Sequence, residues 1–253
     1  MEGKTIQSVQ RAIDIMNCFT EDEHELSLKD ISKKLNLSKS TVHGIISTLV
    51  KNSFIEQNSE TSDYSLGPAF IEKSFLVDED VLVKNIGRKY LEEISNDFSV
   101  TVNLFLFKSA HLHLIDRVSS PTLYYSISTS IKKIPLNASA SGKLALAYSK
   151  EVNLEKLFEK NLLNKYTSTT ITDRNSLAKE IEDIRNQGYS LEQAEVEEGI
   201  HCISVPIFKI NKQFIGTISI MATKEKLDLI LPSLSKKMVE VSKALSKELG
   251  YRE

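Results

Sequence analysis

The sequence predicts an α+β protein: an N-terminal winged helix-turn-helix, a linker helix, and a domain built on an antiparallel sheet covered by helices. Three observations predict it. Residues 26–51 hold two amphipathic helical segments joined by a tight polar turn. Two short strand-like runs follow at once, and from residue 100 the apolar period changes from helical to strand type with helices interleaved.

The chain opens with Ile6, Val9, Ile13 and Met16 at i, i+3, i+7 and i+10, with Ala12 and Phe19 alongside. That is an amphipathic helix, the first of three in the N-terminal domain. The acidic stretch 21–25 reads as a solvated loop, and Cys18 as a structural residue at the helix's core side or edge. Ser27 precedes Leu28, Ile31 and Leu35, and Asp30 stands three residues after it, an N-cap with an acidic partner in the first turn. Asn36 ends this helix and Leu37 plugs the space before the next. Ser38 caps a second helix in which Val42, Ile45, Ile46, Leu49 and Val50 share one face. Its other face carries Lys39, Ser40, Thr41, His43, Ser47 and Lys51, none of them acidic. A polar front of this kind suits a major groove, and an ordinary helical hairpin in a core is the alternative. Runs at 54–57 and 64–66 around the polar turn 58–63 supply a wing, which tips the balance toward DNA binding.

Gly67-Pro68 punctuates the chain, and residues 69–98 read as helical, divided near Asp78–Asp80, with an apolar face that needs a partner. Strands are expected at 101–107, 112–118, 123–128, 189–191, 200–208 and 214–222, the last two joined around Asn211-Lys212. Short helices are expected at 140–148 and 153–158. A longer one is capped by Thr172 or Asp173 and ends at Gly188, and the last runs over 227–249, with Pro232 tolerable near its first turn or at a kink. The domains fall at 1–67, 68–98 and 99–253.

Composition narrows the function. The 41% hydrophobic and 26% charged content is that of an ordinary soluble chain. No apolar run approaches the roughly 20 residues that span a bilayer, and the N-terminus has no signal-peptide core, so no membrane partner is expected. Cys18 and Cys202 form no CxxC pair, which points to no metal or cofactor and to a reducing cytoplasm. A net charge of −2 argues against a general polyanion binder, yet residues 28–51 hold five lysines against Asp30 alone. So small a basic surface fits sequence-specific binding by a homodimer or homotetramer, since each subunit neutralises few phosphates.

These residues resemble the IclR-type transcriptional regulators over nearly the whole chain. Ser8-Val9-Gln10-Arg11-Ala12 is similar to the family's opening helix, Leu37-Ser38-Lys39-Ser40-Thr41-Val42-His43 to its recognition helix, and Tyr64-Ser65-Leu66-Gly67 to the close of its wing. Ala138-Ser139-Ala140-Ser141-Gly142-Lys143 resembles a family motif, as do Gly188-Tyr189, Gly199-Ile200-His201-Cys202-Ile203 and Pro206-Ile207-Phe208. The resemblance implies a GAF-like effector domain and an oligomer whose affinity for double-stranded operator DNA responds to a small organic acid. It further implies DNA contacts by Ser38, Lys39, Ser40, Thr41, His43, Gly44 and Ser47. By motif, Ala140, Ser141, Gly142, Glu192, Ile200, Cys202, Ser219 and Met221 would hold the effector. The chain departs from the family at Gly44, where arginine is usual, at the wing tip Thr61-Ser62-Asp63, which lacks a basic residue, and at Asn137, where histidine is common. Glu192 and Met221 are longer and bulkier than the family's usual aspartate and small residue.

Ser141-Gly142-Lys143 stands at a helix start, where free N–H groups can hold a carboxylate; a glycine needed for close helix packing is the alternative. It is no P-loop, since Asn137 replaces the first glycine and Leu144 the Ser or Thr. Cys202, Ser219 and Met221 have the strand parity to face one cavity, though core packing would use the same residues. His111 and His113 share a strand face with no third ligand nearby and read as solvated, as do Glu195, Glu197 and Glu198. The favoured function is a ligand-responsive repressor of a catabolic operon, with no catalytic residue. Two rivals remain: an enzyme acting on a small acid through Cys202 or Ser141, with no histidine placed by motif to activate either unless His201 does, whose strand parity points it away from Cys202, and a ligand-independent DNA-binding scaffold.

Overall fold

Serine caps begin both helices of the helix-turn-helix in the computed structural model, which describes residues 5–20, 22–74, 76, 78–119, 134–159 and 163–252. Ser27 accepts the amide of Asp30 at the start of α2 (Leu28–Leu35), and Ser38 accepts that of Thr41 at the start of α3 (Lys39–Lys51), each at 3.2 Å. Asn36 ends α2 in the left-handed region at φ 52°, where Asn is better tolerated than most residues. The first helix, α1 (Gln7–Met16), completes the trio. Strands β1 (Ile55–Gln57) and β2 (Tyr64–Leu66) pair antiparallel as the wing, and Leu26 adds a bridge to Tyr64. Gly67 lets β2 leave beside Ser53, whose carbonyl oxygen lies 2.3 Å from where a Cβ would stand. The core comprises Ile15, Cys18, Phe19, Leu26, Ile31, Val42, Ile46, Ile55 and Tyr64.

The amphipathic α1 forms where the apolar period placed it, with its stripe largely uncovered in this subunit. Ile15 is its buried residue, while Ile6, Val9 and Ile13 are 67, 54 and 41% exposed. Helical period alone identifies an apolar stripe but does not say whether this subunit covers it.

The chain forms two compact units, residues 1–78 and 79–253, so the segment expected as a linker is shared between them. Short α4 (Ala69–Ser74) belongs to the first and α5 (Glu79–Phe98) to the second. In the second unit, β3 (Thr101–Lys108), β4 (His111–Val118), β5 (Ser190–Gln193), β6 (Ile200–Lys209) and β7 (Gln213–Thr223) form one antiparallel sheet in the order β4-β3-β7-β6-β5. The strand expected at 123–128 lies outside the described residues. Alternation sorts the two faces. Val102, Leu104, Leu106, Ile203, Val205, Ile218 and Ile220 pack under α5 and α9 (Lys224–Glu248). The opposite face carries α6 (Ala140–Tyr148), whose Leu144 to Ala147 pack with Leu177, Ile181 and Ile184 of α8 (Arg174–Gln187). Asp173 caps α8 and Gly188 ends it at φ 78°. Short α7 (Leu154–Glu159) lies between α6 and α8 in the chain.

The last helix also differs from expectation. Thr223 caps it at Lys224, so Pro232 falls in its third turn, not its first. A cap at the end of β7 extends the helix beyond the apolar periodicity that marked its start.

Candidate functional site

The outer face of α3 presents Lys39, Ser40, His43, Gly44 and Ser47 to solvent, with Thr41 half-exposed. Val42 and Ile46 anchor the opposite face in the core, which fixes this orientation. Ser38 is committed to capping: its Oγ also meets the hydroxyls of Ser40 and Thr41 at 2.9 and 2.8 Å. Ser47 donates to the carbonyl of His43 at 2.8 Å. Gly44 has open space where a Cβ would be, so no steric reason in this unit excludes a side chain there.

In the second unit the face under α6 carries two polar rows running across the strands. Arg117 of β4 stands opposite Asn103 of β3, then Ser219 of β7, Ser204 of β6 and Ser190 of β5. One step along, Thr101, Met221, Cys202 and Glu192 form the second row. Directly opposed residues share a face, so both rows point toward α6. Above them lies a cavity of about 100 Å³ lined by Ala140, Ser141, Glu192, Ile200, Cys202, Ser219 and Met221. Seven of the eight residues mapped by motif therefore surround one space.

Gly142 is the exception. Its N–H donates to Ser139 Oγ at 2.9 Å, and a Cβ would come within 2.2 Å of Pro135 O. Close packing, not the cavity, requires glycine there, and its amide is not open to a ligand. Ser141 Oγ is likewise engaged, accepting from Thr217 Oγ1 at 2.9 Å and lying 3.0 Å from Ser204 Oγ. The backbone amides of Ala140 and Ser141 are in the first turn, where helix geometry supplies no intrahelical acceptor.

Sequence reasoning missed Asn103, Phe105, Arg117, Ile134, Pro135, Ser139, Val196 and Glu197, which complete the lining. One signal was readable: Asn103 interrupts the strand run Val102–Leu106 with a polar side chain at the positions that alternate away from the apolar set. Arg117 Nε donates to Asn103 Oδ1 at 2.7 Å, a contact that only the strand pairing creates.

Glu192 is buried, and one of its oxygens accepts the amides of Glu195 and Val196 at 2.6 and 3.1 Å, so it ties down the β5–β6 loop. Burial, and Glu192 beside it as both charge and hydrogen-bond acceptor, push the Cys202 thiol well up. A thiol held protonated is a poor nucleophile. His201 alternates away from Cys202 and borders a different, open pocket with Asp228.

The reading of Glu195 as solvated is overturned. It is 5% exposed, and its Oε1 lies 2.5 Å from Lys143 Nζ, itself 1% exposed. Lys143 also reaches Glu180 and the carbonyl of Leu191, each at 3.0 Å. Glu197 and Glu198 are exposed as expected. Asn137 is buried and donates to the carbonyls of Asn164 and Ile171 at 3.1 and 3.0 Å, a structural use of the position. His111 and His113 are exposed, and among the described residues no cluster of three or more His, Cys, Asp or Glu could hold a metal ion.

Residues 77–247 match the family described as bacterial transcriptional regulator IclR, C-terminal, and residues 8–59 match the IclR helix-turn-helix domain. The chain belongs to the IclR family. It is 30% identical over 247 residues to the HTH-type transcriptional regulator XynR of Escherichia coli K12, covering 97% of this chain and 98% of that one. It is 27% identical over 219 residues to the transcriptional repressor IclR of the same organism, covering 85 and 79%. The crystal structure of the Agrobacterium tumefaciens repressor BlcR shares the fold, with a TM-score of 0.76 at 20% identity over 99% of this chain and all of that one. This IclR-family chain is a DNA-binding transcriptional regulator. Among its described residues no helix is long and apolar enough to cross a membrane.

Proposed function

We propose that this protein is a cytoplasmic repressor of a catabolic operon, releasing its operator when a small organic acid enters the cavity under α6. The observation that carries the reading is the convergence of Ala140, Ser141, Glu192, Ile200, Cys202, Ser219 and Met221 on that one cavity. Lys39, Ser40, Thr41 and His43 contact DNA, Lys39 at phosphate and His43 at base edges, because the first turns of a recognition helix meet the groove. The protein acts as a homodimer or homotetramer. The exposed stripe Ile6, Val9 and Ile13 supports this, being apolar surface that a second subunit can cover. Repression is supported by the relatives' names, two of which are repressors. Effector binding shifts the arrangement of two winged helices only through its different affinity for the bound and released forms.

The test is a thermal-shift and calorimetric screen of small carboxylates on the full chain, followed by gel shifts on DNA flanking its gene and by sedimentation. A hit that weakens the operator complex supports the reading. Turnover of the hit would favour an enzyme acting through Cys202 or Ser141, and DNA binding with no hit in the panel would favour a scaffold.

A further inference from the structure

The cavity beneath α6 has two chemically opposite ends. At the β4–β3 end, Arg117 and Asn103 stand side by side, and the buried Asn103 holds the guanidinium by its Nε at 2.7 Å. Ser219 adds a hydroxyl beside them across the β3–β7 pairing. At the β5–β6 end, the lining includes two carboxylates, Glu192 and the exposed Glu197. Phe105, Met221, Ile200 and Val196 lie among the rest of the lining.

Resting on the effector reading above, we propose that Arg117, positioned by Asn103, is the anchor for the effector's carboxylate, and that the opposite wall of Glu192 and Glu197 selects a hydroxylated chain. A guanidinium presents five donors in a planar fork that matches a carboxylate, and Asn103 takes one of them. The start of α6 then contributes only the amides of Ala140 and Ser141, because that of Gly142 is occupied by Ser139. Glu192 already accepts two amides, so a neutral hydroxyl satisfies this end and a full cation is not required.

The sheet sets the ligand's length. β4 and β5 are four strand spacings apart, roughly 19 Å, so the Arg117 end and the Glu192 end stand well apart across the sheet. A two-carbon acid cannot touch both ends. A hydroxylated acid of about five carbons can, and the cavity holds on the order of seven waters' worth of volume, in keeping with a molecule of that size.

The experiment is calorimetry on the full chain with acetate, pentanoate, 5-hydroxypentanoate, a five-carbon aldonate and 5-aminopentanoate, plus the neutral carboxamide of the tightest binder. A hydroxylated acid is expected to bind at least tenfold more tightly than pentanoate or acetate. Arg117→Gln should cost the acid at least twentyfold and its carboxamide little, with Arg117→Lys between, and Glu197→Gln should narrow the preference for hydroxyls. Equal losses for acid and carboxamide would mean that Arg117 only supports the sheet, which overturns the anchor. A preference for 5-aminopentanoate, or no binding by any of these probes, overturns the ligand class. Met221→Trp separates this proposal from the one beneath it, because it fills the cavity. If Met221→Trp abolishes binding and Arg117→Gln does not, the cavity stands and the anchor falls; if neither matters, both fall.

Discussion

Lys143 and Glu195 form a buried ion pair, 2.5 Å between Nζ and Oε1, joining α6 to the loop between β5 and β6. Lys143 follows directly on the helix start that borders the cavity, and Glu195 gives its amide to Glu192, which lines that cavity. The pair therefore sits just behind the site, Lys143 two residues beyond Ser141 and Glu195 next to Val196. Removing one partner of a buried pair leaves an unpaired charge and typically costs about 3–5 kcal/mol. Lys143→Met should lower stability by roughly that amount near neutral pH, and Lys143→Met with Glu195→Leu should recover much of it. Urea titrations of the three chains check this; a Lys143→Met variant as stable as the parent would show that the pair is dispensable.

The same pair makes stability depend on pH. Burial raises the Glu195 carboxyl, against the pull of Lys143. A group raised in the folded state contributes stability that is complete below its unfolded range and lost as pH rises through the folded value. Stability should thus fall as pH climbs out of the ordinary carboxylate range, and Glu195→Gln should flatten that slope. A slope unchanged by Glu195→Gln would assign it to other groups.

Two glycines should respond in opposite ways to the same substitution. Gly142→Ala drives a methyl into the Pro135 carbonyl, where backbone must move, and should cost at least about 3 kcal/mol. Gly44→Ala places a methyl in open space on an exposed helix and should gain about 0.5–1 kcal/mol. Hydrogen-exchange protection read separately in the two units distinguishes the effects. Gly44→Arg should in addition tighten DNA binding, by adding a cation to α3; loss of operator binding in a folded Gly44→Arg chain would mean that the backbone must approach DNA there.

On DNA, Lys39→Ala should weaken specific and random complexes alike and flatten the salt dependence. His43→Ala should lose mainly the discrimination between them. Gel shifts at two salt concentrations compare the two, and equal losses on both DNAs for His43→Ala would remove it from base reading.

Cys202 should alkylate slowly with iodoacetamide at pH 8, because burial and Glu192 hold its thiol up. Glu192→Gln removes the neighbouring charge and should speed the reaction, as measured by peptide mass spectrometry. An unaltered rate would make burial alone responsible.

Local chemistry was written in the sequence. Ser27, Ser38, Asp173 and Gly188 act at helix ends within a few residues of themselves, so caps and turns were legible without knowing any partner. Strand parity likewise put Ser219 and Met221 on one face, since alternation is a property of a single strand, while Cys202 joins them through the β6–β7 register. What the fold alone decided involves partners far apart in the chain. The Arg117–Asn103 contact depends on how β4 pairs with β3, and the cavity on that sheet lying beneath α6. Glu195 looked solvated because its neighbours are acidic, yet its cation comes from 52 residues away. The stripe of Ile6, Val9 and Ile13 shows the converse: an apolar period states that a face is fit for burial, and only packing determines whether this subunit buries it.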